Sequence, residues 1–160
     1  TYFQQFGVPV KIVRPFNVYG PGMKTNDYRV IPTFLSKGLN RENLPVHDKG
    51  IQTRTFCYVA DATIAFLKVL LSGKDGEIYN VGNNKPEITI YDLAKTVASQ
   101  LDNRVKVKTI KYPSSYPAGE PQRRCPDITK IKKVFNFKPA ISLEAGLKRT
   151  IGWYKDRYHL

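Results

Sequence analysis

Three arginines in separate loop-like segments are the residues best suited to chemistry. Arg29 lies in Asn26-Asp27-Tyr28-Arg29-Val30, and Arg54 in the segment Gly50-Ile51-Gln52-Thr53-Arg54-Thr55-Phe56-Cys57-Tyr58. Arg124 lies in Arg123-Arg124-Cys125-Pro126-Asp127. A guanidinium fork matches phosphate oxygens two at a time, which an ammonium does not. Taken singly, each arginine reads as a solvated surface charge; brought together, the three would neutralise a pyrophosphate. A fourth segment, Arg14-Pro15-Phe16-Asn17-Val18-Tyr19-Gly20-Pro21, puts Asn17 just beyond a short apolar run. Ligands of open α/β sheets bind beyond the carboxyl ends of strands, and an Asn there offers both a donor and an acceptor. The alternative is a strand-terminating turn that happens to contain Asn17.

Regular elements must hold these segments. Val8, Val10, Ile12 and Val13 follow Gly7 and read as a buried strand ended by Pro15. Tyr19-Gly20-Pro21-Gly22 is a turn. The spacing of Val30, Ile31, Phe34 and Leu35 predicts a helix, with Pro32 tolerated in its first turn and Gly38 near its end. Residues 44–47 and 55–59 read as strands, with the polar loop Asp48-Lys49-Gly50 after the first. Asp61 opens an apolar helix that closes near Gly73, and residues 78–81 read as a strand. Thr89, with Asp92 three residues on, predicts a capped helix along Ile90, Leu93, Ala94, Val97 and Leu101. Val105, Val107 and Thr109 alternate with Lys106 and Lys108, the pattern of a half-exposed strand. Residues 112–126 hold Pro113, Pro117, Gly119, Pro121 and Pro126 and read as a loop. Two short helices finish the chain, one after Asp127 and one after Ser142, the latter with Leu147, Ile151, Tyr154 and Tyr158 along one face. Alternating strands and helices place the chain in the α/β or α+β class.

The 160 residues carry 26 Lys and Arg against 13 Asp and Glu, a net charge of +13. The excess gathers at one end, where residues 103–160 hold 14 basic and 4 acidic side chains. Such an end suits an anionic partner: nucleic acid, a membrane surface or a phosphorylated small molecule. At 41% hydrophobic and 24% charged residues the chain can bury a core and is not a disordered segment. No apolar run reaches the roughly 18 residues of a membrane span, and no signal-peptide pattern opens the segment. Cys57 and Cys125 form no CxxC pair, and His47 and His159 add too little to make a zinc site, so no metal is expected. The cysteines read as free thiols of a reducing compartment, with a single disulfide as the alternative. The chain begins at Thr1 and its one Met is Met23, so it is expected to be a piece of something longer.

Five segments in order carry a resemblance: RPFNVYGPGM, NDYRVIPTFL, GIQTRTFCYVADA, EIYNVGNNKPEITIYDLA and RRCPDITKIKKVFNFKPAISLEAGLKRTI. They resemble the C-terminal half of extended short-chain dehydrogenases acting on nucleotide sugars, the NAD-dependent epimerase/dehydratase family. The likeness runs from Tyr2 to about Tyr154. Within the family it is nearest to UDP-glucuronate decarboxylases and their relatives in surface-polysaccharide biosynthesis, through the Asn-Asp-x-Arg-Val and Gln-Thr-Arg-x-Phe-x-Tyr-Val segments. The resemblance implies an α/β fold, the C-terminal part of a Rossmann-type structure with a small α+β substrate-binding domain. Residues 1–25 would be a remnant of the NAD-binding domain and residues 26–160 mostly substrate-binding, with residues 55–82 returning to the Rossmann sheet.

It also implies roles. Asn17 matches the Asn that binds the nucleotide sugar near its phosphates, and Val18 falls where the family touches the nicotinamide end of NAD. Arg29 and Arg54 match substrate-binding arginines, Arg54 being the diphosphate ligand. Arg124 and Asp127 match an Arg-x-x-Asp pair that closes over diphosphate and ribose. Tyr2 and Gln5 fall where decarboxylases contact the sugar nucleotide. His47 stands where the family usually has a Tyr or Phe beside the uracil followed by Gly; here Asp48 follows, and His47 is read either as a base-stacking ring or as a surface histidine. Tyr28 replaces a usual Gly.

Two family features are absent from these residues: the glycine-rich nucleotide-binding turn and the catalytic Tyr-x-x-x-Lys, which the resemblance places shortly before Thr1. Neither Tyr19 nor Tyr58 has a Lys four residues on, so no residue is assigned a catalytic role. The expected parent is a cytoplasmic, homodimeric, NAD-dependent enzyme acting on a UDP-sugar or another nucleotide-diphosphate sugar. In the decarboxylase branch it would work by transient C4 oxidation; the same-family alternatives are UDP-sugar 4-epimerase and NDP-glucose 4,6-dehydratase. The piece alone should be inactive, and an exposed strand edge would make it marginally stable or self-associating. The competing reading from another class is a basic nucleic-acid-binding module built on residues 105–110, Lys111, Tyr112 and Tyr116, whose binding would weaken steeply with salt.

Overall fold

The computed structural model describes residues 1–101, 105–113 and 121–158. Its elements run α1 (Tyr2–Phe6), β1 (Ile12–Pro15), β2 (Val18–Tyr19), α2 (Val30–Leu39), β3 (Leu44–His47), β4 (Thr53–Arg54), β5 (Cys57–Tyr58) and α3 (Val59–Ser72). They continue β6 (Ile78–Val81), β7 (Ile88–Thr89), α4 (Ile90–Ala98), β8 (Val107–Ile110), β9 (Arg123–Arg124), α5 (Thr129–Phe135) and α6 (Leu143–Tyr158). Tyr116, Pro117, Gly119 and His159, named in the sequence reading, lie outside the described residues.

The described residues form four small sheets. Three are parallel pairs, β1 with β6, β2 with β5 and β3 with β8. The fourth has the order β7-β4-β9, with β4 antiparallel to β7 and parallel to β9. Two apolar clusters fill the interior. One joins α2, β3, α4 and α6 through Phe34, Leu35, Val46, Leu93, Leu147 and Tyr154. The other joins α3, β6 and α5 through Ala65, Val69, Tyr79 and Ile131. They meet at β5, where successive side chains point to opposite sides: Cys57 belongs to one cluster and Tyr58 to the other.

Several elements differ from their sequence reading. The strand expected over residues 55–59 is shorter, Cys57–Tyr58, because the chain changes sheets just before it and enters a helix at Val59. β4 pairs with β7 and β9, β5 pairs with β2, and α3 starts at Val59, two residues before Asp61. The strand expected from Val8 begins only at Ile12, and Ile12 is 42% exposed because β1 is paired on one edge only, with β6. The closing helix is not short: α6 runs 16 residues, with the Ser142 hydroxyl accepting the Ala145 N–H at its start. The capped helix matches its reading, since the Thr89 hydroxyl accepts the Asp92 N–H at 3.0 Å.

Asp61 shows how the pieces are tied. This carboxylate, 4% exposed, accepts the N–H groups of Ala140 and Ile141 at 3.1 and 3.0 Å. A buried charge needs such bonds to be tolerated, and these fasten the α5–α6 connection to the start of α3. Nearby, the Tyr19 phenol donates to the Leu143 carbonyl at 3.0 Å and joins β2 to α6.

Candidate functional site

A cavity of about 480 Å³ opens between the end of β2, the start of α2, β3 and the β4–β9 pair. That volume is in the range of small-molecule sites. Six sequence-predicted residues line it: Asn17, Val18, Arg29, His47, Arg54 and Arg124.

The two inner arginines are brought together by strand register. Arg54 in β4 stands directly opposite Arg124 in β9, so parallel pairing puts both guanidinium-bearing residues at the same level of one small sheet. Arg54 is 4% exposed, and its Nη1 donates to the carbonyls of Thr53 at 2.8 Å and Gln122 at 3.5 Å. Arg124 is exposed. Two like charges facing one cavity repel each other and favour an anion between them.

Arg29 reaches the cavity already matched. Its Nε lies 3.0 Å from both carboxylate oxygens of Asp27, and its backbone N–H donates to Asp27 Oδ1 at 2.9 Å. The Arg29 bonds hold the Asp27 carboxyl below the usual carboxylate range, and the same pairing raises the guanidinium. Tyr28 beside it is 95% exposed at the cavity mouth.

Asn17 occupies the left-handed region at φ 45°, where Asn is tolerated better than most residues. Its Nδ2 donates to the Thr55 carbonyl at 2.8 Å and its own carbonyl accepts the Cys57 N–H. Main chain and side chain thus clip the β1–β2 corner to the segment joining β4 and β5. Val18 follows it, half-buried and apolar, in register with Cys57.

Another part of the cavity lining is aromatic. His47 and Tyr112 stack with centroids 4.8 Å apart and planes 14° from parallel. Gln52, 7% exposed, donates to the Tyr112 hydroxyl at 2.8 Å. The tight turn after β3 sets the His47 ring. Asp48 there has φ 50° and Gly50 φ 61°, both in the left-handed region. A Cβ on Gly50 would stand 2.3 Å from Val46 Cγ1 and 3.1 Å from the Tyr91 nitrogen.

Three expected site residues do not line this cavity. Tyr2 and Gln5 lie on the exposed helix α1. Asp127 belongs to a separate polar hollow of about 400 Å³ with Arg14, Asn80 and Lys130. Its carboxylate accepts the Thr129 N–H at 2.8 Å, a bond that lowers its pKa, and its carbonyl accepts from Asn80 Nδ2. Arg124 and Asp127 therefore face different spaces, because the chain turns through Pro126 into α5 between them.

Sequence reasoning missed Tyr112 and Gln52 as site residues. The signal was parallel pairing of β3 with β8, which puts His47 opposite Ile110 and brings the following Tyr112 to the same end. Tyr19, a tempting acid-base candidate, is 2% exposed, and burial raises its phenol well above the ordinary value. It stays protonated and serves as a strut. Among the described residues no three His, Cys, Asp or Glu side chains are grouped to hold a metal ion. No helix among them is long and apolar enough to cross a membrane.

The sequence profile of the NAD dependent epimerase/dehydratase family matches residues 1–82. UDP-N-acetyl-alpha-D-glucosaminuronate decarboxylase of Bacillus cytotoxicus is 39% identical over 153 residues, covering 94% of this chain and 47% of that protein. Human dTDP-D-glucose 4,6-dehydratase is 34% identical, covering 99% of this chain and 45% of its own length. The crystal structure of a Bacillus cereus UDP-glucuronic acid 4-epimerase, with NAD and UDP-4-deoxy-4-fluoro-glucuronic acid, superposes with TM-score 0.81 at 26% identity. It covers 98% of this chain and 48% of that one. The chain thus spans about half the length of the relatives it matches. The fold is that of Rossmann-type epimerases and dehydratases, and NAD is the cofactor of that family. Val18, apolar and half-buried, is the residue that the resemblance would set against NAD. The sequence has no glycine-rich turn to cradle a pyrophosphate at a helix start.

Proposed function

The chain belongs to the NAD dependent epimerase/dehydratase family, and from that premise we propose that it supplies the nucleotide-sugar-binding half of an enzyme acting on a UDP-linked sugar acid. The observation that carries this reading is one cavity lined by two unlike sets of residues. Arg54 and Arg124, in register across β4 and β9, offer guanidinium groups to a diphosphate. The stacked His47 and Tyr112 offer a flat aromatic wall to a base. Asn17 and Val18 line the same cavity just beyond the end of β1, where the sugar would point. Similarity to a UDP-sugar-acid decarboxylase favours decarboxylation as the reaction of the whole protein. UDP-sugar 4-epimerase and NDP-glucose 4,6-dehydratase are the alternatives within the family.

The cavity residues bind and orient. None of them is placed as the general base, so the chain alone should turn nothing over. The nucleic-acid reading loses support, because Tyr112 faces the cavity on His47 instead of joining the lysines of β8.

Titration of the 160-residue chain with UDP, uridine and inorganic pyrophosphate at moderate salt tests the proposal. UDP should perturb amides of residues 17–18, 47–54 and 123–124 and bind more tightly than either fragment. Tighter, steeply salt-dependent binding of an oligonucleotide, or product formed from UDP-glucuronate and NAD by the chain alone, would overturn it.

A further inference from the structure

Glu87, just before β7, closes a clasp across all three strands of the sheet that carries Arg54 and Arg124. Its Oε1 accepts from the Thr53 hydroxyl of β4 at 2.6 Å and from Arg123 Nε of β9 at 2.8 Å. Its Oε2 accepts from Arg123 Nη2 at 2.8 Å, which completes a planar fork.

Register makes the clasp relevant to the cavity. Thr53 stands opposite Arg123, and the next pair along the same two strands is Arg54 opposite Arg124. Side chains alternate between faces of a strand. Thr53 and Arg123 meet Glu87 on one face, while Arg54 and Arg124 line the cavity on the other. β9 is only two residues long, and the N–H of Thr55 reaches the Arg124 carbonyl at 3.3 Å, toward the long end for such a bond. At the start of β9 the Thr53 N–H donates to the Gln122 carbonyl at 2.8 Å, so the backbone fastens the strand well before Arg123 and more loosely at Arg124.

We propose that Glu87 and Arg123 are positioning residues, whose fork holds β9 in register on β4 so that Arg124 stands beside Arg54 for an anionic diphosphate. The inference rests on the nucleotide-diphosphate reading of that cavity. An isolated exposed ion pair contributes little. A bidentate guanidinium–carboxylate fork with a third hydrogen bond is the geometry that does contribute. The side chain of Glu87 is 28% exposed against 65% for Arg123, so the acceptor is the more sheltered partner. Hydrogen bonds from Arg123 and then Thr53 lower the Glu87 pKa, which keeps the clasp charged at neutral pH. Because β9 is peripheral to both apolar clusters, breaking the clasp should be read in anion affinity more than in global stability.

The test is a double-mutant cycle on the full 160-residue chain, with UDP and inorganic pyrophosphate as probes and thermal melting alongside. E87Q should weaken both probes about tenfold, with R123K intermediate. In an R124A background E87Q should have almost no further effect, since the two act through one contact. Uridine binding should not move. Should E87Q fail to fold, R123K carries the same cycle. Unchanged affinity in E87Q, or an equal loss with and without Arg124, overturns the positioning role while wild-type binding still upholds the cavity. No binding of either probe by the wild-type chain overturns the cavity reading and the clasp with it.

Discussion

Gly146 lies where α6 crosses the rings of Tyr19 and Tyr58, and replacing it with alanine tests that crossing. A Cβ there would stand 2.1 Å from the Tyr19 hydroxyl, 2.8 Å from its Cζ and 2.9 Å from Tyr58 Cδ2. Tyr19 is 2% exposed and cannot swing into solvent. Accommodating the methyl means displacing the ring, at an overpacking cost of about 1–3 kcal/mol. Displacement also weakens the Tyr19 bond to the Leu143 carbonyl, about 1 kcal/mol net. Against this, alanine in a helix interior gains about 1 kcal/mol over glycine. The balance is a destabilisation of about 1–3 kcal/mol, each unit lowering the melting temperature by about 2–4 °C in a chain of this size. Gly152 in the same helix is the control, since nothing lies within 4 Å of its added Cβ. Calorimetry or circular dichroism should show Gly152→Ala melting higher than wild type and Gly146→Ala lower. Because Tyr19 also lines the cavity, Gly146→Ala should weaken UDP binding as well. Equal gains in stability from the two substitutions would show that the close approach of β2 and α6 does not exist.

Acid titration probes the Asp27–Arg29 pair. The Asp27 pKa is depressed, so its contribution is fully present above the ordinary carboxylate value of about 4 and is lost as pH falls through the lower folded value. Wild type should therefore exceed Asp27→Asn in melting temperature by a constant margin from pH 7 to about 4, and the margin should shrink below that; a margin that grows in acid contradicts the pairing. Thiol labelling separates the cysteines. Cys57 is fully buried, and burial pushes its thiol up to about 12, whereas Cys125 is partly exposed. Iodoacetamide at pH 8 should modify Cys125 in the native chain and reach Cys57 only on unfolding, as read by mass spectrometry; fast native labelling of Cys57 would place it outside the core.

Local signals in the sequence were legible where local physics decides. Thr89 and Asp92 announce a helix start because a short hydroxyl side chain can satisfy a free N–H only there, and the bond is present. The face of Val30, Ile31, Phe34 and Leu35 gave α2 because a 3.6-residue period leaves few other ways to bury those side chains. Residues 55–59 misled because β propensity marks an extended run and says nothing about its partners. Thr53–Arg54, just before it, pairs in one sheet and Cys57–Tyr58 in another, so its first residues form a corner and its strand is shorter than expected. Asp127 shows a related limit at the site. The resemblance pairs it with Arg124, and the chain's turn puts the two residues against different hollows.

By itself the sequence determined the class of elements and the family, since residue chemistry and short spacings are properties of the chain. Only the tertiary structure decided which charges share a space. Arg54 and Arg124 are 70 positions apart, and they become neighbours because β9 joins β4 in one parallel register. Arg29 arrives compensated by Asp27, and Tyr112 joins His47 through the pairing of β3 with β8. Register between distant strands is fixed by which faces are buried and which turns connect them, and no window of neighbouring residues contains that information.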